Sequence, residues 1–428
     1  MRVAWFSPLP PVRSGIAAYS AEVLPRLTAH FDIECFTETS AHDFVWSARR
    51  RAYDLVVYQL GNAPFHDYMW AYLVAYPGLV VLHDARLHHA RARCLLHQRR
   101  FDDYRRELQY DHPDATSGFA EYVVEGLGGS ISYFWSMLRV VMRTARTIAV
   151  HNPRVADDLR EQYPGVAIEV IRMGVPAIEP DRAARASARR ALALPDEAIV
   201  FAAFGKVTAE KRLAAILGAI GALAGEGRDV RLLLVGDTGE HAALQEDIAR
   251  HGLADRVLLT GHVAEETIGA HLAAADVCLC LRWPTARETS ASWLRCLAAG
   301  RPTVISDLAH LVDIPTLDPR DWRASPRSTD PVAVAIDLLE EAPSLVLAMR
   351  RLADDRRLRD DLARAGHAHW AAHHTLSGMA DDYQRVMAQA AVRPGPIVTD
   401  LPPHFTEDHT EPARRLARQF GIELDILG

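Results

Sequence analysis

The sequence predicts an α/β protein made of two doubly wound, Rossmann-like domains that face each other across a cleft. Short apolar runs alternate with helical patterns through the first half, and a second series of the same kind starts afresh near residue 198. The runs are continuously apolar rather than strictly alternating, as expected for parallel strands covered on both faces. A length of 428 residues leaves room for two or three full cores.

In the first series, strands are expected at 3–7, 33–36, 55–58, 79–83, 147–150 and 167–171, with helices at 16–29, 130–146 and 154–163. An Ala/Arg-rich stretch at 181–194 reads as a linker helix. The second series places strands at 199–204, 230–235, 257–259, 277–281 and 303–306. Its helices fall at 211–224, 240–251, 264–275 and 292–299, and 331–389 reads as helical. The division is 1–175 for the first domain, 176–197 for the linker and 198–374 for the second domain. A C-terminal helix at 375–390 and a tail at 391–428 complete it. Open sheets of this kind bind ligands at the carboxyl ends of their strands, so two facing sheets put the ligand between the domains.

Bulk composition narrows the function. A formal charge of −7 argues against a nucleic-acid binder, which would carry a basic face. Five cysteines (Cys35, Cys94, Cys278, Cys280 and Cys296) form no CxxC pair or disulfide framework, which fits a reducing cytoplasm. The N-terminus shows no apolar core of signal-peptide length. The longest uncharged run, 68–83, is interrupted by Pro77-Gly78 and too short to span a bilayer. A soluble, cytoplasmic protein is expected.

Of 48 basic residues only two are lysines, Lys206 and Lys211, and no other basic residue lies between them. They belong to Phe204-Gly205-Lys206-Val207-Thr208-Ala209-Glu210-Lys211-Arg212, the first strand-to-helix turn of the second series. Lys206 leaves the strand end and Lys211 is expected in the first helical turn. A cation there opposes the helix dipole, so a bound diphosphate would justify both. The alternative is a solvated pair of charges. The spacing is not that of a Walker loop.

Two further loops follow strands and open helices. In Ser7-Pro8-Leu9-Pro10-Pro11-Val12-Arg13-Ser14-Gly15-Ile16, Gly15 lets backbone amides approach a phosphate or sugar, or merely shapes a proline-rich turn. In 282–295, Glu288 is placed to accept hydrogen bonds from sugar hydroxyls, with Thr289 and Ser290 at the helix start. Plain N-capping by either is the bland alternative.

Taken together, these segments resemble glycosyltransferase family 4 (group 1 glycosyltransferases) of the GT-B fold, over about residues 2 to 390. The matching pieces are "SPLPP..SGIA.Y", "VVLHD", "FG.....EKR" and "ETS....R..AAGRP.V.SD", in the family's order. The resemblance implies a retaining, metal-independent transferase. It would move a sugar, such as mannose, glucose or a related hexose, from a nucleotide diphosphate-sugar to a saccharide or lipid-linked acceptor. No cofactor beyond that donor is implied. By the same resemblance Gly15 and Gly205 lie near donor phosphate or sugar, Lys206 and Lys211 bind the diphosphate, His83 supports the sugar, and His262 and Val263 neighbour the base. The helix at 375–390 would cross back to the first domain.

The family often carries Glu-x7-Glu. Glu288 fits the first position with a shift of one residue, but Arg295 stands at the second, where the ribose contact would be; it either touches phosphate or holds the loop. No Asp-x-Asp pair of metal-chelating type is present. Fixed cations must then stabilise the departing diphosphate, contributing on the order of 3–4 kcal/mol each, and lysine suits this as a point charge.

Other histidines and arginines have local readings. His83-Asp84, His88 and His89 either orient ligands or cap the sheet edge. His369 and His373 have the i,i+4 spacing of metal ligands, but without a neighbouring glutamate they, with His367 and His374, read as a solvated helix face. The stretch Arg91, Arg93, Arg99, Arg100, Arg105 and Arg106 offers a peripheral contact with an anionic inner membrane or a phosphorylated acceptor; the alternative is a wet helical face. Two rival functions share the fold: a nucleotide-sugar epimerase and a non-catalytic binding protein.

Overall fold

The structure, a computed structural model, describes residues 1–115, 117–178, 182–239, 243–325, 330–407 and 411–422. The first sheet contains β1 (Arg2–Phe6), β2 (Asp32–Phe36), β3 (Leu55–Leu60), β4 (Leu79–Leu82), β5 (Thr147–Val150) and β6 (Ile168–Val170). All are parallel, in the order β2-β1-β3-β4-β5-β6. The second sheet contains β7 (Ile199–Phe204), β8 (Val230–Val235), β9 (Val257–Leu259), β10 (Val277–Cys280), β11 (Thr303–Ser306), β12 (Thr316–Leu317), β13 (Ala324–Ser325) and β14 (Ala333–Ile336). Its order is β13-β12-β14-β11-β10-β7-β8-β9, with only the β12–β13 pair antiparallel. Every residue of β3, β4, β5 and β11 is buried, which is why these strands read as unbroken apolar runs.

The helix Leu376–Val392 joins the domains. Its Tyr383 packs 5.4 Å from the ring of Trp5, and Tyr19 donates from its hydroxyl to that of Tyr383 at 2.8 Å. Asp382 accepts from the backbone N–H of Arg172 (3.1 Å) and from its Nε (3.0 Å). One buried apolar cluster includes Trp5, Tyr19 and Val23 of the first domain, Met379, Tyr383 and Val386 of this helix, and Trp293, Leu297 and Ile305 of the second domain. Each large side chain so buried contributes about 1.5–3 kcal/mol.

Three expectations need correction. The single helix at 130–146 is instead a 3-10 turn, Gly129–Tyr133, an irregular stretch and a short helix, Arg139–Thr144. Left-handed backbone at Met137 (φ 51) breaks it, and the Ser136 carbonyl accepts from the Leu87 amide instead. Within the helical span 331–389, Ala333–Ile336 is strand β14; a four-residue apolar run carries no period that separates strand from helix. The stretch at 181–194 holds a helix, Arg182–Ala191, anchored to the second domain. Its Arg189 is fully buried and donates to the carbonyls of Ala274, Pro195, Asp196 and Ala198 and to Asp276.

The arginine stretch of the first domain is not a free cationic face. Buried Arg91 makes a two-point pair with Glu107 (2.6 and 2.8 Å) and lies 4.4 Å from the Trp70 ring. Arg93 pairs with Asp67, Arg100 and Arg106 with Asp103, and Arg105 with Asp102 and Glu121. Arg91, Arg93 and Arg105 tie separate segments together, while Arg100 and Arg106 pair locally along one helix and Arg99 is exposed, so the stretch offers less charge to a membrane than its sequence does. The tail runs back over the same region: Leu401 is buried there, and His404 Nε2 lies 3.1 Å from Glu107. Burial opposes ionisation of Glu107, yet Arg91 and His404 hold it down at about 2. Among the described residues, no helix is long and apolar enough to cross a membrane.

Removing the Arg189 guanidinium leaves Asp276 and the carbonyls around it without a donor. Arg189→Met is expected to lose about 3–5 kcal/mol of unfolding free energy, measured by urea denaturation.

Candidate active site between the domains

Opposite the carboxyl end of the first sheet, the second domain presents the loops after β7, β10 and β11. Several bonds cross the gap. The Ala85 amide donates to the Ala286 carbonyl (2.9 Å), Asn152 Nδ2 to the His310 carbonyl (2.9 Å), and the Tyr133 hydroxyl to Glu210 (2.8 Å). Arg287 pairs with Asp158. The Asn152–His310 contact borders a cavity of about 310 Å³.

Of the residues expected at the site, Lys211, Glu288, Thr289 and Ser290 line this cavity. Lys211 is not in an α-helical turn. It ends a 3-10 turn, Ala209–Lys211, and left-handed Arg212 (φ 58) separates it from the helix Leu213–Gly225. Its side chain turns back beneath the end of β7 and donates to the Phe204 carbonyl. Gly205 makes this possible: its φ is 88°, and a Cβ there would stand 2.8 Å from Lys211 Nζ. Burial, then the charge of Arg282, lower the Lys211 ammonium to about 8. Lys206, in contrast, is exposed and does not line the cavity, so the two lysines do not converge in this state.

Glu288 is held on both oxygens, by Arg282 Nε (2.6 Å) and the Thr285 hydroxyl (2.8 Å). Ser290 caps the helix Ala291–Ala298, accepting from the Trp293 amide, and its hydroxyl also faces the cavity. The capping reading and the site reading are therefore both met by one residue.

Gly15 starts the helix Gly15–Leu27 in open space and does not line the cavity; neither do Gly205, His83, His262, Val263 or Arg295. His262 is exposed just after β9. Arg295 points away from the expected ribose role: it pairs with Glu22 of the first domain and with Glu265. Neither partner belongs to the 282–295 loop, so the contact seen is one between the domains rather than a hold on that loop. His88 is buried against the Tyr104 hydroxyl (2.8 Å), which is a core contact.

His83 stands one layer behind the wall. Its Nδ1 lies 3.2 Å from Nε2 of His151, which does line the cavity, and its Nε2 lies 2.8 Å from the Gln59 amide. Burial lowers both imidazoles, His151 to about 4, so both are neutral. The Ile171 carbonyl, 2.8 Å from His151 Nδ1, requires a proton there. His83 must then donate from Nδ1, and its Nε2 must accept from the NH2 of Gln59, whose amide group turns over readily. Gln59's oxygen is left to accept from Tyr383, and Tyr383 from Tyr19.

Sequence reasoning missed His151, Arg282 and His310, and treated Asp84 only as a neighbour of His83. Asp84 is on the first domain, accepts from the Asn62 amide at 2.8 Å, and feels Glu288 from the second. Burial first, and Glu288 second, raise it to about 7 against the opposing effects of Asn62 and Arg282. The helix-end histidines are only in part a solvated face: His369 and His374 are half-buried in the cavity wall, while His373 lines it and is exposed. Among the described residues, no three His, Cys, Asp or Glu side chains are placed to hold a metal ion.

Comparison with known proteins agrees with this architecture. Anabaena HepE, solved with UDP and glucose, superposes with a TM-score of 0.63 at 14% identity, covering 91% of this chain and 99% of that one. Sucrose-phosphate synthase from Thermosynechococcus elongatus gives 0.64 at 14% identity, covering 91% and 98%. The chain has the GT-B fold. Residues 198–341 match the profile of the family described as "Glycosyl transferases group 1". Two Streptomyces kanamyceticus proteins are similar in sequence. The 2-deoxystreptamine glucosyltransferase is 28% identical over 59% of this chain and 63% of its own length. The alpha-D-kanosaminyltransferase is 27% identical over 57% and 60%. The chain thus aligns with less than two thirds of either relative.

Two outcomes test the geometry. Asp84 keeps a proton in the folded chain that the unfolded chain releases near its ordinary value. Stability is therefore expected to fall as pH rises from about 4 to about 7, with a slope of up to about 1.4 kcal/mol per pH unit. Asp84→Asn should remove that component from denaturation curves taken across the window. Separately, Arg295→Met should open the cleft, seen as a larger radius of gyration in small-angle scattering with unchanged circular dichroism.

Proposed function

We propose that the chain is a group 1 glycosyltransferase that moves a hexosyl group from a nucleotide diphosphate-sugar to an acceptor hydroxyl, with retention at the anomeric carbon and without a metal ion. The observation that carries this reading is the convergence of Lys211, Glu288 and the start of the helix Ala291–Ala298 on one interdomain cavity. The family match over 198–341 and the glucosyl and kanosaminyl transfer named for the two relatives support it.

In this reading the bond from the anomeric carbon to the diphosphate oxygen breaks first, and the diphosphate leaves with the electron pair. Lys211 turns from the Phe204 carbonyl to meet the developing charge, assisted by the amides of Thr289 and Ser290 at the helix start. Lys206 closes from the exposed side, and Gly15 admits the phosphates to the facing helix start of the first domain. Glu288 positions the sugar by accepting from its hydroxyls. With both oxygens engaged by Arg282 and Thr285, it is poorly placed to act as a nucleophile. The acceptor oxygen then bonds to the same face the diphosphate left, and its proton passes to the departing phosphate. Retention follows from that shared face.

His83 acts through His151, which it orients. His262 and Val263 remain the proposed neighbours of the base. Arg295 is assigned to domain contact rather than to the ribose. The acceptor classes the resemblance suggests are a saccharide or a lipid-linked sugar.

Lys211→Ala is expected to lower kcat about 10²- to 10³-fold and to weaken UDP binding, measured with UDP-glucose and an acceptor panel. Unchanged turnover and affinity in this variant would refute the proposal. Incubation with donor alone separates transfer from epimerisation, since an epimerase alters the sugar without any acceptor.

A further inference from the structure

Three of the five cysteines gather in the second domain, and all five are free thiols. Cys278 and Cys280 are two residues apart on β10 and so project from the same face of the strand. Cys296 belongs to the helix Ala291–Ala298. It shares an apolar cluster with Cys278, and Cys280 packs against that cluster. The Cys280 and Cys296 sulfurs lie 3.9 Å apart. They join the end of β10 to the helix whose start faces the cavity.

The thiols differ in access. Cys280 is partly exposed and lines the cavity, whereas Cys278 and Cys296 are fully buried. Burial, then the neighbouring thiols of Cys278 and Cys280, push the Cys296 thiol well above its ordinary value. An oxidant arriving through the cavity therefore meets Cys280 first, with Cys296 in contact behind it. That is the arrangement in which oxidation ends as a disulfide rather than as a higher acid.

The pair also sits against the cation assigned to the diphosphate. The Lys211 ammonium feels both the Cys280 and the Cys296 sulfur. Ser292, one turn before Cys296 on the same helix face, is equally close to Lys211: a Cβ on Gly205 would stand 2.8 Å from Lys211 Nζ and 3.2 Å from Ser292 Oγ.

We propose that Cys280 and Cys296 are an oxidation site that takes a hydroperoxide while the cavity holds no donor, and closes as a disulfide that weakens donor binding. Cys280 Sγ attacks one peroxide oxygen and the O–O bond breaks. That oxygen stays on the sulfur as a sulfenic acid, and the other leaves as water or alcohol with the thiol proton. Cys296 Sγ then attacks the Cys280 sulfur. The S–S bond forms, the S–O bond breaks, and the hydroxyl leaves as water with the Cys296 proton. The two thiols give up two electrons and the peroxide takes them. The bond draws the helix Ala291–Ala298 toward the end of β10, and Ser292 moves with it beside Lys211. The oxidation is a property of the thiols alone; its effect on the donor rests on the glycosyltransferase reading.

The test is hydrogen peroxide treatment of the full chain, then alkylation in denaturant and peptide mass spectrometry, with UDP affinity measured before oxidation, after it and after dithiothreitol. A linked Cys280–Cys296 peptide is expected, with Cys35, Cys94 and Cys278 still alkylated. Saturating UDP should slow the linkage about fivefold or more by covering Cys280. The linked chain should bind UDP about tenfold more weakly until it is reduced. In Cys296→Ser the sulfenic acid on Cys280 should persist and be trapped by dimedone. Absence of the linked peptide, linkage through another cysteine, or linkage at the same rate in the urea-unfolded chain would overturn the proposal, and so would a linked chain of unchanged UDP affinity. If the linkage forms while UDP binds neither form and no sugar is transferred, the glycosyltransferase reading fails and the oxidation site stands. If sugar is transferred and no linkage forms, the reverse holds.

Discussion

A directed chain of hydrogen bonds runs from Tyr19 through Tyr383, Gln59 and His83 to His151 and ends on the Ile171 carbonyl. Its direction is forced from the far end, because a carbonyl can only accept and both imidazoles are neutral. Every member uses its donor and acceptor capacity once in sequence, which is what makes so many polar groups tolerable in a buried core. The chain crosses from the helix Leu376–Val392 to the first sheet, so the same tie fixes the tautomer of the wall residue His151, both of whose ring nitrogens it occupies. Packing of a distant helix and the protonation of a wall residue are one constraint.

Around that constraint the lips of the cleft are joined by charge and backbone contacts, beside the apolar cluster that spans both domains. Arg295 between Glu22 and Glu265, and Arg287 on Asp158, hold the two lips together. Such pairs gain from partial exclusion of water but do not fill the cleft. The arginine bias of the chain has the same character elsewhere: Arg91, Arg189 and Arg212 are each locked to carboxylates or carbonyls by a fork that lysine lacks.

Much of the second domain was legible before any coordinates. Strands 199–204, 230–235, 257–259 and 303–306 were each readable because an apolar run there is bounded by turn residues on both sides. The position of Glu288, Thr289 and Ser290 at a strand-to-helix loop was legible for the same reason. Arg91 was not, since nothing in a sequence distinguishes a guanidinium stacked on Trp70 from one in water. The conduct of Lys211 depended on left-handed Arg212, an unusual conformation for a non-glycine residue. The imidazoles of His369, His373 and His374 became wall residues only because three segments far apart in the chain meet there, and Asp84 became unusual only because the other domain brings Glu288 to it. Properties that arise between elements leave no mark within any one of them.

The resting place of Lys211 has a consequence for selectivity. An empty site usually presents its cation to solvent, where any anion can find it. Here the ammonium is already satisfied by the last carbonyl of β7 and shielded by Gly205. A ligand must outcompete a backbone oxygen before it meets the charge, and a single weakly basic oxygen does so poorly. The buried carbonyl is thus an internal competitor for that ammonium: any group that takes its place has to accept a hydrogen bond at least as well as the Phe204 carbonyl does.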